Sequence, residues 1–189
     1  MEAFPYGNTV ELIQIKGLTL LNILEHSVSK YNMDEPSGRF LQYSGLKVEY
    51  DLTAPLKMRV KSILVLCASC DVPEYEMLNL DRTYSVLTNQ FLIQGGDGYD
   101  MLQNNIIGRV SFGDLLTDVV GEYMQKFSPL KNGVEGRIKL MDDTPNMVTP
   151  TVSDAEIRGC TSSSTKITIC PLLRFSVILL LLLSLCQNR

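Results

Sequence analysis

Residues 83–106, TYSVLTNQFLIQGGDGYDMLQNNI, decide how the chain is read. Positions 83–93 are rich in β-branched, aromatic and aliphatic side chains. They alternate too little for a half-exposed strand, so they predict a strand in the middle of a sheet. Gly95-Gly96-Asp97-Gly98 then breaks the strand, and a short helix over about 99–106 follows. A glycine-rich turn between a strand and a helix suggests a phosphate cradle. The Walker spacing and its lysine are absent, however, and the Asp97 carboxylate would repel phosphate. A carboxylate there is better suited to accept from vicinal hydroxyls, as a ribose offers. The plainer alternative makes Asp97 a helix N-cap and gives the glycines positive φ. By pattern alone, Phe91 and Tyr6 are ordinary core aromatics.

Working outward, residues 9–15 (TVELIQI) alternate apolar and polar and predict a strand turned by Lys16-Gly17. Thr19 can cap a helix running to about residue 31, with Leu20, Ile23, Leu24, Val28 and Tyr31 on one face. After a loop at 33–38, residues 40–52 read as a long strand with a bulge marked by Gly45. Residues 59–66 (RVKSILVL) read as its hairpin partner. Downstream, 113–127 carries Leu115, Leu116, Val119, Val120, Tyr123, Met124 and Phe127 at helical spacing. Residues 134–140 (VEGRIKL) predict a closing strand. No internal repeat is present. The pattern predicts an α+β fold, a mixed β-sheet domain with packed helices over 1–140. Residues 141–165 turn to Asp, Pro, Thr and Ser and read as a flexible stalk, and 166–189 form a hydrophobic C-terminal segment.

The chain has 189 residues, enough for one domain of ordinary size and a tail. Its 17 Lys+Arg against 21 Asp+Glu leave a net charge of -4, which argues against a nucleic-acid partner. His26 is the single histidine. It rules out a multi-histidine metal site and reads as a structural residue. Cys67-x-x-Cys70 admits a redox pair, half a zinc site or a local disulfide, and the other half of a zinc site is missing. The N-terminus has neither a basic nor an apolar leader segment. At the other end, the uninterrupted apolar run at 175–185 is 11 residues long. A spanning helix needs about 20. Small residues at Ser162, Ser163 and Ser164, a spacer and this tail follow the layout of a GPI-attachment signal. A short tail anchor is the alternative.

NQFLIQGGDGYDML (89–102) resembles the signature of the C-terminal domain of the 5'-nucleotidase and apyrase family. Residues 5–28 (PYGNTVELIQIKGLTLLNILEHSV), 38–52 (GRFLQYSGLKVEYDL) and 59–75 (RVKSILVLCASCDVPEY) resemble it too, in order and at family spacing. The resemblance covers about residues 4–140. It implies a domain that binds a nucleoside or nucleoside monophosphate such as adenosine or AMP. By motif match, Tyr6 and Phe91 would stack on the base and Asp97 would hold the ribose. Tyr6 stands where Phe is more familiar and keeps a π face. The family's local disulfide maps to Cys67 and Cys70. The resemblance also implies a metallophosphoesterase domain with two divalent ions, usually zinc, which these residues do not include. Nor do they include the first part of the C-terminal domain. The expectation is therefore an N-terminally truncated chain that binds no cofactor and has no catalytic residues of its own. It would reach the cell surface on a lipid anchor, given a signal peptide upstream, and a homodimer is a further partner. The competing expectation is a non-enzymatic dimerisation or adhesion module.

Overall fold

The computed structural model describes residues 6–67, 70–130 and 133–141. The stalk, the Ser162–Ser164 attachment candidates and the apolar tail lie outside the described residues. Strand β1 (Thr9–Lys16) leads directly into helix α1 (Gly17–Ser27). Strands β2 (Leu46–Asp51), β3 (Val60–Leu66), β4 (Tyr75–Met77) and β5 (Thr83–Asn89) follow. Next come the one-turn helix α2 (Gln90–Ile93), a 3-10 turn at Gly96–Gly98 and helix α3 (Asp100–Asn105). Strand β6 (Gly108–Leu115), helix α4 (Leu116–Phe127) and strand β7 (Ile138–Met141) complete the order.

The strands form two sheets. One is antiparallel, in the order β5-β1-β6, and the other is mixed, in the order β4-β3-β2-β7 with β7 parallel to β2. Helix α1 packs against β1, β3 and α3, so it bridges the sheets. Its buried Leu20, Ile23 and Leu24, with Val28 just beyond, join Ile13 and Ile15 of β1, Val48 and Tyr50 of β2 and Val65 of β3 in one apolar core. This is the α+β architecture that the alternating and helical patterns predict. Glu25 is buried on the same helix and accepts the backbone N–H groups of Arg59 and Val60 at 3.1 and 2.9 Å. A carboxylate placed so is satisfied without a cation and ties α1 to the start of β3.

Several elements differ from expectation. Thr19 does not cap α1. The helix begins two residues earlier, and Gly17 and Leu18 donate their N–H groups to the carbonyls of Arg82 and Leu80. Those backbone acceptors satisfy the first turn without a capping side chain. A Cβ on Gly17 would lie 2.1 Å from the Asn79 carbonyl oxygen, so the close approach that supplies these bonds requires glycine. The long strand expected over 40–52 is ordered as β2 only from Leu46. Gly45 sits at φ 76°, its carbonyl accepts Leu66 N–H, and Leu41 N–H bonds instead to Ser27 Oγ. Strand β5 stops at Asn89, because the Asn89 side chain accepts Leu92 N–H and caps α2. Although buried on both faces, β5 is an edge strand among the described residues, and β1 is central. Residues 113–115 extend β6 rather than starting the amphipathic helix, which opens at Leu116.

Beneath this arrangement lies a void of about 20 Å³ lined by Ile13, Leu20, Val86, Thr88, Leu92 and Tyr99, among others. Thr88 Oγ1 is buried beside it without a hydrogen-bond partner. The lining is otherwise apolar, so the void offers a water too few partners.

Candidate functional site

The antiparallel register pairs Val10 with Asn89 and Lys16 with Thr83. The entry to β1 and the exit from β5 therefore share one end of the sheet. Tyr6 lies just before β1 and Phe91 just after β5, so the topology places two distant segments at that end. Neither is a core aromatic. Tyr6 is 71% exposed and Phe91 is 37% exposed. No ring contact joins them.

Helix α2 explains how Phe91 is presented. Leu92 and Ile93 are buried and anchor the single turn, which leaves Phe91 facing outward. Its ring lies against the turn that follows. A Cβ on Gly96 would meet Phe91 Cε1 and Cζ at 2.5 Å. Gly96 is thus a seat for the ring, and any side chain there would displace it. Gly95 and Gly98 serve a different need, with φ of 85° and 82°. Between them Asp97 also takes a left-handed conformation, at φ 53°. A non-glycine residue there stores on the order of 1 kcal/mol of strain, and Asp and Asn are the side chains that tolerate it best.

Three contacts hold the strained turn. His26 Nε2 lies 2.9 Å from the Asp97 carbonyl oxygen. A carbonyl only accepts, so Nε2 carries the proton and donates. The imidazole packs edge-on to Tyr99, with centroids 4.6 Å apart at 74°, and lies 3.2 Å from where a Gly98 side chain would begin. Tyr99 in turn donates its hydroxyl to the Arg39 carbonyl at 2.5 Å, and burial pushes its phenol pKa upward. The Asp97 carboxylate has no such partner. No described residue donates to it, and Oδ2 lies over Gly38, 3.8 Å from where a Cβ would stand. Asp97 is also not the cap of α3, whose N-cap is Tyr99 with no side-chain capping bond. The N-cap alternative is therefore set aside.

The structure brings Phe91, Gly96 and Asp97 into direct succession and places Tyr6 at the same sheet end. Sequence reasoning missed the seat at Gly96 and the hold by His26. His26 lies 71 residues from Asp97, and no local spacing signals the contact. The Cys67–Cys70 disulfide is present, with Cα atoms 5.6 Å apart, at the end of β3 in the other sheet. Among the described residues, no group of three or more His, Cys, Asp or Glu could hold a metal ion.

Residues 1–104 match the family described as 5'-nucleotidase, C-terminal domain. A snake venom 5'-nucleotidase from Macrovipera lebetinus is 43% identical over 140 residues, 74% of this chain and 34% of that protein. The Homo sapiens 5'-nucleotidase is 42% identical over 135 residues, 71% of this chain and 23% of that protein. The crystal structure of a 5'-nucleotidase precursor from Thermus thermophilus superimposes with a TM-score of 0.68 at 34% identity, covering 74% of this chain and 26% of that one. The matched part of this chain thus spans 23% to 34% of the length of these proteins. With the fold, the signature turn and the sequence match in agreement, the chain belongs to the 5'-nucleotidase C-terminal domain family.

Proposed function

We propose that this chain is the nucleoside-binding part of a 5'-nucleotidase that hydrolyses extracellular nucleotides to nucleoside and phosphate. The observation that carries the reading is the pairing of a half-exposed ring seated on Gly96 with an unpartnered carboxylate one residue further on. A base stacks on Phe91, with Tyr6 closing over its other face, and the ribose hydroxyls donate to Asp97. Each stacking contact contributes about 1–3 kcal/mol. Hydrolysis belongs to a metal-dependent domain outside these residues, because phosphoryl transfer needs a metal-activated water and charge clamps on the phosphate. The lipid anchor near Ser162–Ser164, and with it a cell-surface location, is part of the same proposal.

Calorimetric titration with adenosine tests it. Weak binding is expected, weaker still in Asp97→Ala and in Phe91→Ala. Unchanged affinity in both variants would refute the assignment. The purified chain with added zinc is expected not to hydrolyse AMP, ADP or ATP, and turnover would refute the division of labour.

A second reading, a non-enzymatic dimerisation or adhesion module, draws on a different observation. Val110 and Phe112 on β6, with Tyr123, Met124 and Phe127 on α4, are each between 48% and 53% exposed. Sedimentation of the chain against a Phe112→Ser, Phe127→Ser double variant separates the two. A dimer lost in the variant, together with no adenosine binding, favours the second reading.

A further inference from the structure

We propose that His26 is a positioning residue for nucleoside binding, acting through the Asp97 turn. The inference rests on the nucleoside reading above and adds to it a residue 71 positions away in the sequence. Asp97 holds its carboxylate over Gly38 with its backbone left-handed, a state that an L-residue leaves readily unless held. The 3-10 turn around it has little to hold it. Gly98 and Tyr99 donate N–H groups to the Gly95 and Gly96 carbonyls at 3.1 Å, and the turn contains no buried side chain. The external hold comes from α1. His26 is braced by the helix, whose neighbouring Glu25 and Ser27 are buried and hydrogen-bonded to Val60 and Leu41. From that rigid base Nε2–H reaches the Asp97 carbonyl at 2.9 Å, and Cε1 and Nε2 of the ring lie 3.2 Å from where a Gly98 Cβ would stand.

A carbonyl fixed at one end of the residue and Tyr99 fixed to Arg39 at the other hold the Asp97 Cα–Cβ bond in one orientation. Its carboxylate then stands over Gly38 with its lone pairs unused. His26 therefore needs no contact with the ligand. It supplies a hydrogen bond that keeps the ribose acceptor in place before the ligand arrives, so binding does not have to order the turn.

Two substitutions divide the donor from the packing. His26→Phe keeps a flat ring against Tyr99 and Gly98 and removes the N–H. His26→Gln restores an N–H at nearly the reach of Nε2. In the 189-residue chain, amide hydrogen exchange read by NMR is expected to accelerate about five- to tenfold at Gly98 and Tyr99 in His26→Phe, the range that loss of one hydrogen bond gives. Leu12 and Ile13 in β1 should exchange at the unaltered rate, which shows that the fold is intact. Adenosine affinity should fall by about the same factor. His26→Gln should recover most of both. Adding His26→Phe to Asp97→Ala should weaken adenosine binding no further, because the effect passes through Asp97.

Unchanged exchange at Gly98 and Tyr99 in His26→Phe would overturn the proposal, as would losses that add to those of Asp97→Ala. A His26→Gln chain as impaired as His26→Phe would assign the effect to packing and overturn it too. If the unaltered chain binds no adenosine, the nucleoside reading falls, and the positioning role for a ligand falls with it. The exchange data would then show separately whether His26 holds the turn.

Discussion

Gly96→Ala isolates the seat of the Phe91 ring from everything else in the turn. Gly96 does not occupy the left-handed region, unlike its neighbours, so alanine meets no backbone strain there. The new methyl would lie 2.5 Å from Cε1 and Cζ and 2.6 Å from Cδ1 of Phe91. Ordinary carbon contacts begin near about 3.5 Å, so the ring must retreat by roughly 1 Å. Overpacking of this kind typically costs about 1–3 kcal/mol. Phe91 is 37% exposed and can swing toward solvent, which places the stability loss near about 1 kcal/mol. The effect on ligand is larger, because the displaced ring no longer presents its face at the height set by Asp97. Loss of one stacking contact, about 1–3 kcal/mol, weakens adenosine binding by at least about fivefold. Thermal unfolding and adenosine titration of the same preparation measure both quantities. A large stability loss with unchanged affinity would instead make Phe91 a packing residue with no part in binding.

Other outcomes follow from the same contacts. Thr88→Val removes a buried hydroxyl without a partner and keeps the volume, so the chain should be as stable or more stable by about 1 kcal/mol in urea unfolding. Glu11 is 1% exposed and accepts from Arg109 Nε at 2.9 Å, Thr9 at 2.9 Å and Ser111 at 3.1 Å. The Arg109 hydrogen bond is the largest influence and holds its carboxyl below the usual range against the opposing effect of burial. A carboxylate depressed on folding stabilises above its unfolded pKa, and that contribution is lost as pH falls through the folded value. Urea midpoints measured from neutral to acid pH should therefore fall less steeply in Glu11→Gln than in the unaltered chain. Asp51, held by Thr53 and then Lys61, should titrate at about 2 by NMR. Opening the Cys67–Cys70 bond in a double serine variant should cost about 2 kcal/mol or less in the same unfolding assay, because the closed loop is so short.

Much of the architecture was legible because burial wrote itself into local periodicity. Strand β1 and the β2–β3 hairpin bury alternate side chains on an apolar face, and α1 carries its core residues at helical spacing. Strand β6 was not legible for the converse reason. It runs at a sheet edge with nearly every residue exposed, so its apolar positions follow no inward-outward rule. Leu115 and Leu116 also continued the pattern of α4 backward into it. The start of α1 was misread because its cap is backbone from residues 80 and 82, which no side-chain motif encodes. At the site, the Gly-Gly-Asp-Gly break and the identities of Phe91 and Asp97 were visible as a motif. The geometry depends on a hydrogen bond from His26 and on a contact across Gly96, both products of tertiary folding.

Chemical-shift mapping of the chain with adenosine decides whether the Phe91–Asp97 turn is a nucleoside site. Shifts are expected to concentrate at Phe91, Gly96, Asp97 and Tyr6, with His26 following through its bond to the Asp97 carbonyl. Shifts confined to the exposed β6 and α4 residues, or no shifts at saturating adenosine, would contradict it.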